Sequence, residues 1–245
     1  MSATNRGGAR IPDDFYATQP WVVERFLEKW PDVTAFDGCD WVEPGAGDGA
    51  IIRAVNAVMA REGLGWPKWT AVEINSARAD SLVRCGADRI IYGDVLEHDP
   101  FERYAVSMGN PAFSIAMDVV KWSRIHARHT ALLLRLDFLG SAKRAEFMRD
   151  DAPDVYVLPN RPSFVISAKC PGGTAIDCDW AQLFAIADRD NVPDACPICG
   201  AALKFTTTDS CDYAWFAWGP ERRRVGSLVV LDETPESVRS VWGAK

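Results

Sequence analysis

The sequence predicts an α/β protein built on a doubly wound, mostly parallel sheet of seven strands, with a small Cys-rich insertion. Three observations carry that prediction. Short apolar runs alternate with amphipathic stretches through the first two thirds of the chain, as in a parallel sheet covered on both faces. A glycine-rich turn, Glu43-Pro44-Gly45-Ala46-Gly47-Asp48-Gly49, joins the first such run to the first long helix. Cysteines crowd the one region where the alternation stops. With 245 residues and 48% hydrophobic content, the chain can bury the core of one α/β domain with an appendage.

Taken in order, residues 1–13 are small and polar without periodicity and are expected to be disordered as far as Phe15 and Tyr16. From Pro20, the spacing of Trp21, Val22, Phe26, Leu27 and Trp30 predicts a helix that ends before Pro31. The run 39–42 reads as a buried strand entering the glycine turn, and Ile51, Ile52, Val55, Val58 and Met59 form the apolar face of the next helix. A strand at 69–74, a helix at 76–85 and strands at 89–92 and 105–108 follow. Beyond Asn110 lie an amphipathic stretch with Ile115, Val119, Val120, Trp122 and Ile125, a strand at 130–138, a short helix at 141–149 and a strand at 155–158. Regularity stops after Arg161-Pro162-Ser163-Phe164, where Gly, Pro, Asp and Cys surround one apolar stretch at 180–186, and strand character returns at 213–218. The resulting division is a main domain over 14–166 and 205–231, an insertion over 167–204 that suits target recognition, and a tail over 232–245. Most of the ten tryptophans are expected in the core.

A net charge of −7 argues against binding nucleic acid by bulk electrostatics, so such contacts must come from local patches. Candidates are Arg135 with Lys143, Arg144 and Arg149, then Arg161, and the run Arg222-Arg223-Arg224. No apolar run approaches the roughly 18 residues that span a bilayer, and residues 1–10 lack a secretory apolar stretch, so a soluble, cytoplasmic protein with no membrane partner is expected. Of seven cysteines, Cys39 and Cys85 stand alone, whereas Cys170, Cys178, Cys196, Cys199 and Cys211 cluster. Such clustering favours a metal over disulfides. Cys196-Pro197-Ile198-Cys199-Gly200 has the spacing of a zinc knuckle, with Cys170 and Cys178 as the nearest further pair and Cys211 in reserve; a structural zinc is expected to staple the insertion.

The glycine turn puts small residues where a backbone must pass close to a ligand, and Glu73 ends the next strand, where doubly wound folds place an acid on ribose hydroxyls. A carboxylate at Glu43 would repel a pyrophosphate, and the turn has no phosphate-binding lysine, so a phosphate-free nucleoside is favoured over NAD or ATP. At the end of the fourth strand stands Gly109-Asn110-Pro111-Ala112-Phe113. The amide oxygen of Asn110 and the carbonyl of Pro111 suit the two hydrogens of a planar amine, whose delocalised lone pair is otherwise a poor nucleophile, and Phe113 suits stacking on a base swung out of its helix.

In that order these motifs resemble the class I S-adenosylmethionine-dependent methyltransferases. More narrowly they resemble the bacterial and phage adenine-N6 DNA methyltransferases, whose catalytic motif reads Asn-Pro-Pro-Tyr or Asn-Pro-Pro-Phe. The resemblance extends from about Asp14 to Trp218; Phe15-Tyr16-Ala17-Thr18-Gln19-Pro20-Trp21 looks like that family's cofactor-closing segment, and Arg161-Pro162-Ser163-Phe164 with Tyr213 to Trp218 looks like phage-borne members. It implies a Rossmann-like fold, S-adenosylmethionine as cofactor and DNA as partner. It also implies that Thr18, Glu43, Gly45, Ala46, Gly47, Glu73, Ile74, Asp94, Val95 and Asn110 line the cofactor, that Asn110, Pro111 and Phe113 are catalytic, and that Phe113, Arg161 and Phe164 meet the substrate. Ala112 departs from the motif, since the second proline is missing and with it one fixed torsion. Three alternatives remain open: the same chemistry on RNA, the same chemistry on a protein glutamine amide, and a catalytically silent binding protein of this fold.

Overall fold

In the computed structural model, the apolar runs of the first half become strands and the amphipathic stretches between them become helices. Residues 17–30, 36, 38–162, 164–171, 181–185, 192–206 and 211–235 are described. Expectations for residues 1–13, Phe15, Tyr16, Cys178, Trp180 and most of the 232–245 tail lie outside them. The chain divides into a larger unit, Thr18–Pro162 with Ser210–Lys245, and a smaller one that includes Ser163–Asp209.

The larger unit opens with α1 (Pro20–Leu27), where proline occupies the first helical turn and Trp21, Val22, Val23, Phe26 and Leu27 are buried. Next come β1 (Asp40–Pro44), α2 (Ala50–Arg61), β2 (Lys68–Glu73), α3 (Ala79–Arg84), β3 (Arg89–Tyr92), β4 (Tyr104–Gly109), α4 (Ala116–His126) and β5 (Ala127–Arg135). Then follow α5 (Ala145–Asp150) and β6 (Asp154–Val157); the smaller unit contributes β7 (Val165–Lys169), β8 (Ala181–Ala185) and β9 (Lys204–Thr206), and the larger resumes with β10 (Tyr213–Trp218) and β11 (Leu228–Val230). The large sheet runs β11-β6-β10-β5-β4-β1-β2-β3. Pairing is parallel throughout except at β10, which runs antiparallel to both β5 and β6.

Eight strands form this sheet, one more than the seven predicted. The added strand, β11, is a three-residue edge whose outer residues are exposed, so it carries no alternating pattern to read. Side-chain chemistry holds it instead: Ser227 donates to Asp154 from both its N–H and its hydroxyl at 2.7 Å, and Arg223 pairs with the same carboxylate. That carboxyl is held below its ordinary range because Arg223 and Ser227 outweigh the opposing effect of burial. The expected strand at 130–138 is displaced toward the N-terminus. Its partner β10 stops pairing at Tyr213↔Arg135, so the ladder ends there and Leu136–Leu139 turn as a 3-10 helix. Likewise the helix expected at 76–85 begins as a 3-10 turn capped by the Asn75 side chain.

Burial follows the two-sided pattern expected of central strands, with Ala131, Leu132, Leu133 and Leu134 of β5 and every residue of β10 inside. Among the described residues seven tryptophans are buried, including Trp215 and Trp218. Their indole N–H groups are satisfied at long range: Trp215 donates to the Val22 carbonyl at 2.9 Å, tying α1 to β10, and Trp69 donates to Asn56 at 3.0 Å. Arg124 and Asp151 form a buried ion pair at 2.8 Å, with Arg124 also donating to the Gly219 carbonyl.

In the smaller unit the three strands pair antiparallel in the order β8-β7-β9. Ala168, Cys196 and Leu203 form a small buried cluster, against which Cys170, Val192 and Cys199 pack. Among the described residues, no helix is long and apolar enough to cross a membrane.

Candidate active site

Strand order reverses between β1 and β4, because the chain winds outward through β2 and β3 on one side and through β5 on the other. Such a reversal opens a crevice beyond the carboxyl ends of the two strands. The glycine turn leaves β1 there and the Asn110 segment leaves β4 there, brought together by the register Trp41↔Val106 and Val42↔Ser107. Gly109 lets them approach: a Cβ at this position would lie 3.1 Å from the Pro44 ring and 3.2 Å from its carbonyl.

The turn is stitched to β2, with the Gly45 and Ala46 N–H groups donating to the Val72 carbonyl at 2.9 and 3.0 Å. Gly49 adopts a left-handed conformation to start α2, and a Cβ on it would collide with Cys85. Glu73, 7% exposed, accepts from the Gly47 N–H at 2.7 Å and from the Asn75 N–H at 2.8 Å. The carboxylate predicted to meet a ribose therefore also braces the glycine turn, and each of its oxygens keeps a second lone pair for a ligand.

Glu43 is 2% exposed, and its Oε2 has no hydrogen-bond partner among the described residues. Burial pushes its carboxyl well above the usual range, and Asp48 and Glu73 push it further; the Ile52 N–H and Arg53 oppose them. The group is thus held toward its neutral form beneath the turn. On the far side of Glu73, Asp94 is exposed and caps the Leu96 N–H at 2.9 Å, while Val95 is buried. Ile74 at 68% exposure, Tyr92 and Leu96 leave apolar surface beside these carboxylates, following the register Glu73↔Tyr92. Tyr92 and Leu96 were not singled out from the sequence, because ordinary strand-end residues carry no local mark of exposure.

The Asn110 side chain donates from Nδ2 to Thr18 Oγ1 at 3.1 Å, so the segment expected to close over a cofactor meets the expected catalytic loop. Pro111 is buried, and Ala112 and Phe113 are half-buried. The Phe113 ring lies 5.8 Å from the Tyr213 ring and carries the Arg135 guanidinium 4.3 Å above its centroid. Neither partner was expected beside Phe113 from the sequence, which placed Arg135 in a basic patch and Tyr213 at the start of a strand. They meet through the antiparallel register Tyr213↔Arg135, which no local pattern announces.

Other predicted residues lie elsewhere. Arg161 is exposed and pairs with Asp212 at 2.7 Å, and Phe164, which belongs to the smaller unit, is buried. Of the basic patches, Arg144 is committed to the Phe138 ring and carbonyl and Arg223 to Asp154, while Arg222 and Arg224 are exposed.

In the smaller unit, the Sγ atoms of Cys170, Cys196 and Cys199 all lie within 4.8 Å of one another, with Cys170 and Cys199 at 3.4 Å. The Cys196–Gly200 turn is closed by Gly200 N–H donating to the Cys196 carbonyl at 2.8 Å, and Ala195 and Ala202 bridge its base. Thiolates bound tetrahedrally at about 2.3 Å from zinc stand a little under 4 Å apart, so the three sulfurs fit such a site. Cys178, the expected fourth ligand, lies outside the described residues, and Cys211 belongs to the larger unit.

No protein-family model and no curated protein matches the sequence. Solved structures do match the fold. A type I restriction-modification system methyltransferase subunit from Streptococcus thermophilus is similar at 12% identity and a TM-score of 0.57 over 94% of this chain and 52% of that one. The present chain thus spans about half of that subunit. A class I S-adenosylmethionine-dependent methyltransferase from Listeria monocytogenes is similar at 11% identity and a TM-score of 0.53, over 97% of this chain and 72% of that one. At such identities it is the fold that is shared: the Rossmann-like sheet of the class I methyltransferases.

Proposed function

We propose that this protein methylates the exocyclic N6 amine of adenine in DNA, using S-adenosylmethionine. The observation that carries the reading is the placement of Asn110-Pro111-Ala112-Phe113 at the strand-order reversal, against the glycine turn and hydrogen-bonded to Thr18. The likeness to a restriction-modification methyltransferase supports DNA as the substrate class.

The residues of the crevice fit the cofactor. Glu43 Oε2, buried and without a hydrogen-bond partner among the described residues, suits the ammonium of its methionine part, whose positive charge would favour the ionised carboxylate that burial alone disfavours, and Glu73 suits ribose hydroxyls. Thr18, Gly45, Ala46 and Gly47 would line the methionine part, with Ile74, Asp94 and Val95 toward the adenine. When bound, the cofactor supplies an electrophilic methyl group on a sulfonium centre. Because Asn110 donates to Thr18 through Nδ2, the opposite end of its amide is the acceptor for the target amine. With the Pro111 carbonyl as second acceptor, both amine hydrogens are held and the nitrogen lone pair is turned toward the methyl group. Because the group leaving the methyl carbon would be a neutral thioether and the amine proton could be lost to solvent after transfer, Asn110 and Pro111 need only orient the amine, and no strong base would be required beside them. Phe113 supports the base by stacking.

In the smaller unit, Cys170, Cys196 and Cys199 would hold a structural zinc ion, with Cys178 the fourth ligand expected from the sequence. The unit is proposed as the target-recognition element.

The deciding experiment incubates the protein with tritiated S-adenosylmethionine and mixed-sequence duplex DNA and identifies the labelled nucleoside by mass spectrometry. N6-methyladenine is expected. Asn110→Ala should lower the rate at least about 100-fold while changing cofactor affinity only a few-fold. No label in DNA, or label on a base position other than adenine N6, overturns the reading, and parallel incubations with RNA and with protein then identify the acceptor.

A further inference from the structure

Phe113 lies on a loop, yet two side chains that grip it, Arg135 and Tyr213, come from strands in the middle of the sheet. Arg135 is the last residue of β5, a strand paired through Leu132 to Gly109, the residue just before Asn110. Tyr213, fully buried at the start of β10, stands opposite Arg135 across the ladder. The guanidinium sits 4.3 Å over the Phe113 centroid, within the range of a cation–π contact, and the Tyr213 ring packs at 5.8 Å.

We infer that Arg135 is a positioning residue for the target base: it holds the Phe113 ring in its stacking orientation before DNA arrives. This deepens the proposed function and rests on it. A phenyl ring on a loop loses rotamer freedom when a base stacks on it, and a ring already clamped has lost that freedom in advance. The clamp matters more here because Ala112 leaves free a backbone torsion that proline would fix. A cation on one face also draws electron density through the ring, which makes the opposite face a better partner for an electron-rich purine. The charge on Arg135 therefore acts on the aromatic ring and not on a phosphate.

The test compares wild type, Arg135→Lys and Arg135→Met in the DNA methylation assay, with cofactor affinity, thermal midpoint and the salt dependence of DNA binding measured beside it. Arg135→Met should lower kcat/KM for DNA about tenfold, mainly through KM, with cofactor affinity unchanged. Arg135→Lys should recover part of the loss and provides the comparison if the methionine variant is unstable. The slope of log affinity against log salt should stay the same in all three proteins; a slope reduced by about one phosphate contact would make Arg135 a backbone anchor and overturn the inference. Active wild type with an equally active Arg135→Met overturns the inference alone. Wild type that transfers no methyl group to DNA overturns the reading of the site, and this inference with it.

Discussion

Glu43 carries a carboxyl buried beneath the glycine turn, with one oxygen unpartnered among the described residues and Asp48 and Glu73 close by. Its pKa in the folded protein is raised, so above the ordinary carboxyl range the folded state holds a proton that the unfolded state has released. Stability must then fall as pH rises from about 4.5 toward the raised value. Glu43→Gln, which cannot ionise, should raise the thermal midpoint by several degrees at about pH 7–8. Its effect should be small at about pH 4, where the acid is largely protonated in the folded and unfolded chain alike. Parallel melting curves of the two proteins across that range would dismiss the buried acid as the cause. The position of Glu43 before the glycines was legible in the sequence because the turn is a local motif. Its protonation was not, since that depends on α2 packing over it and on carboxylates brought in from the turn and from β2.

Among the elements, the knuckle and β11 show opposite degrees of legibility. The knuckle announces itself by a two-residue spacing between cysteines followed by a glycine, and the three described sulfurs do converge. Purified protein should contain about one zinc per chain, and chelation should speed hydrogen exchange in β7 and β9 while leaving β4 and β5 protected. Unchanged exchange in β7 after complete metal removal would refute a structural role. By contrast β11 has only Leu228, Val229 and Val230, at an exposed edge, and its attachment is set by Asp154 from another strand. The end of β5 was misplaced for a similar reason: its apolar run continues to Phe138, whereas its pairing partner stops opposite Arg135.

At the scale of the whole molecule, the alternation of apolar runs was enough to read a mostly parallel sheet, because that pattern reports burial directly. The contacts that lock the layers were not readable, and Arg124 with Asp151 shows why. The two lie 27 residues apart, and only the folded chain brings α4, the turn after α5 and the end of β10 to one point, where Trp218 also donates to the Asp151 carbonyl at 3.0 Å. Arg124→Met would leave a buried carboxylate unpaired and should cost about 3–5 kcal/mol in urea unfolding. A loss under about 1 kcal/mol would show that water or a neighbouring donor replaces the guanidinium. Arg161 and Asp212 have a different consequence. They stand at the two places where the chain leaves and rejoins the larger unit, and their ion pair at 2.7 Å brings exit and return within one side chain's reach. A segment hung between two touching points adds little closure penalty however long it grows. The chain can therefore exchange what it carries there for a longer, shorter or unrelated module while the sheet that houses the chemistry keeps its order.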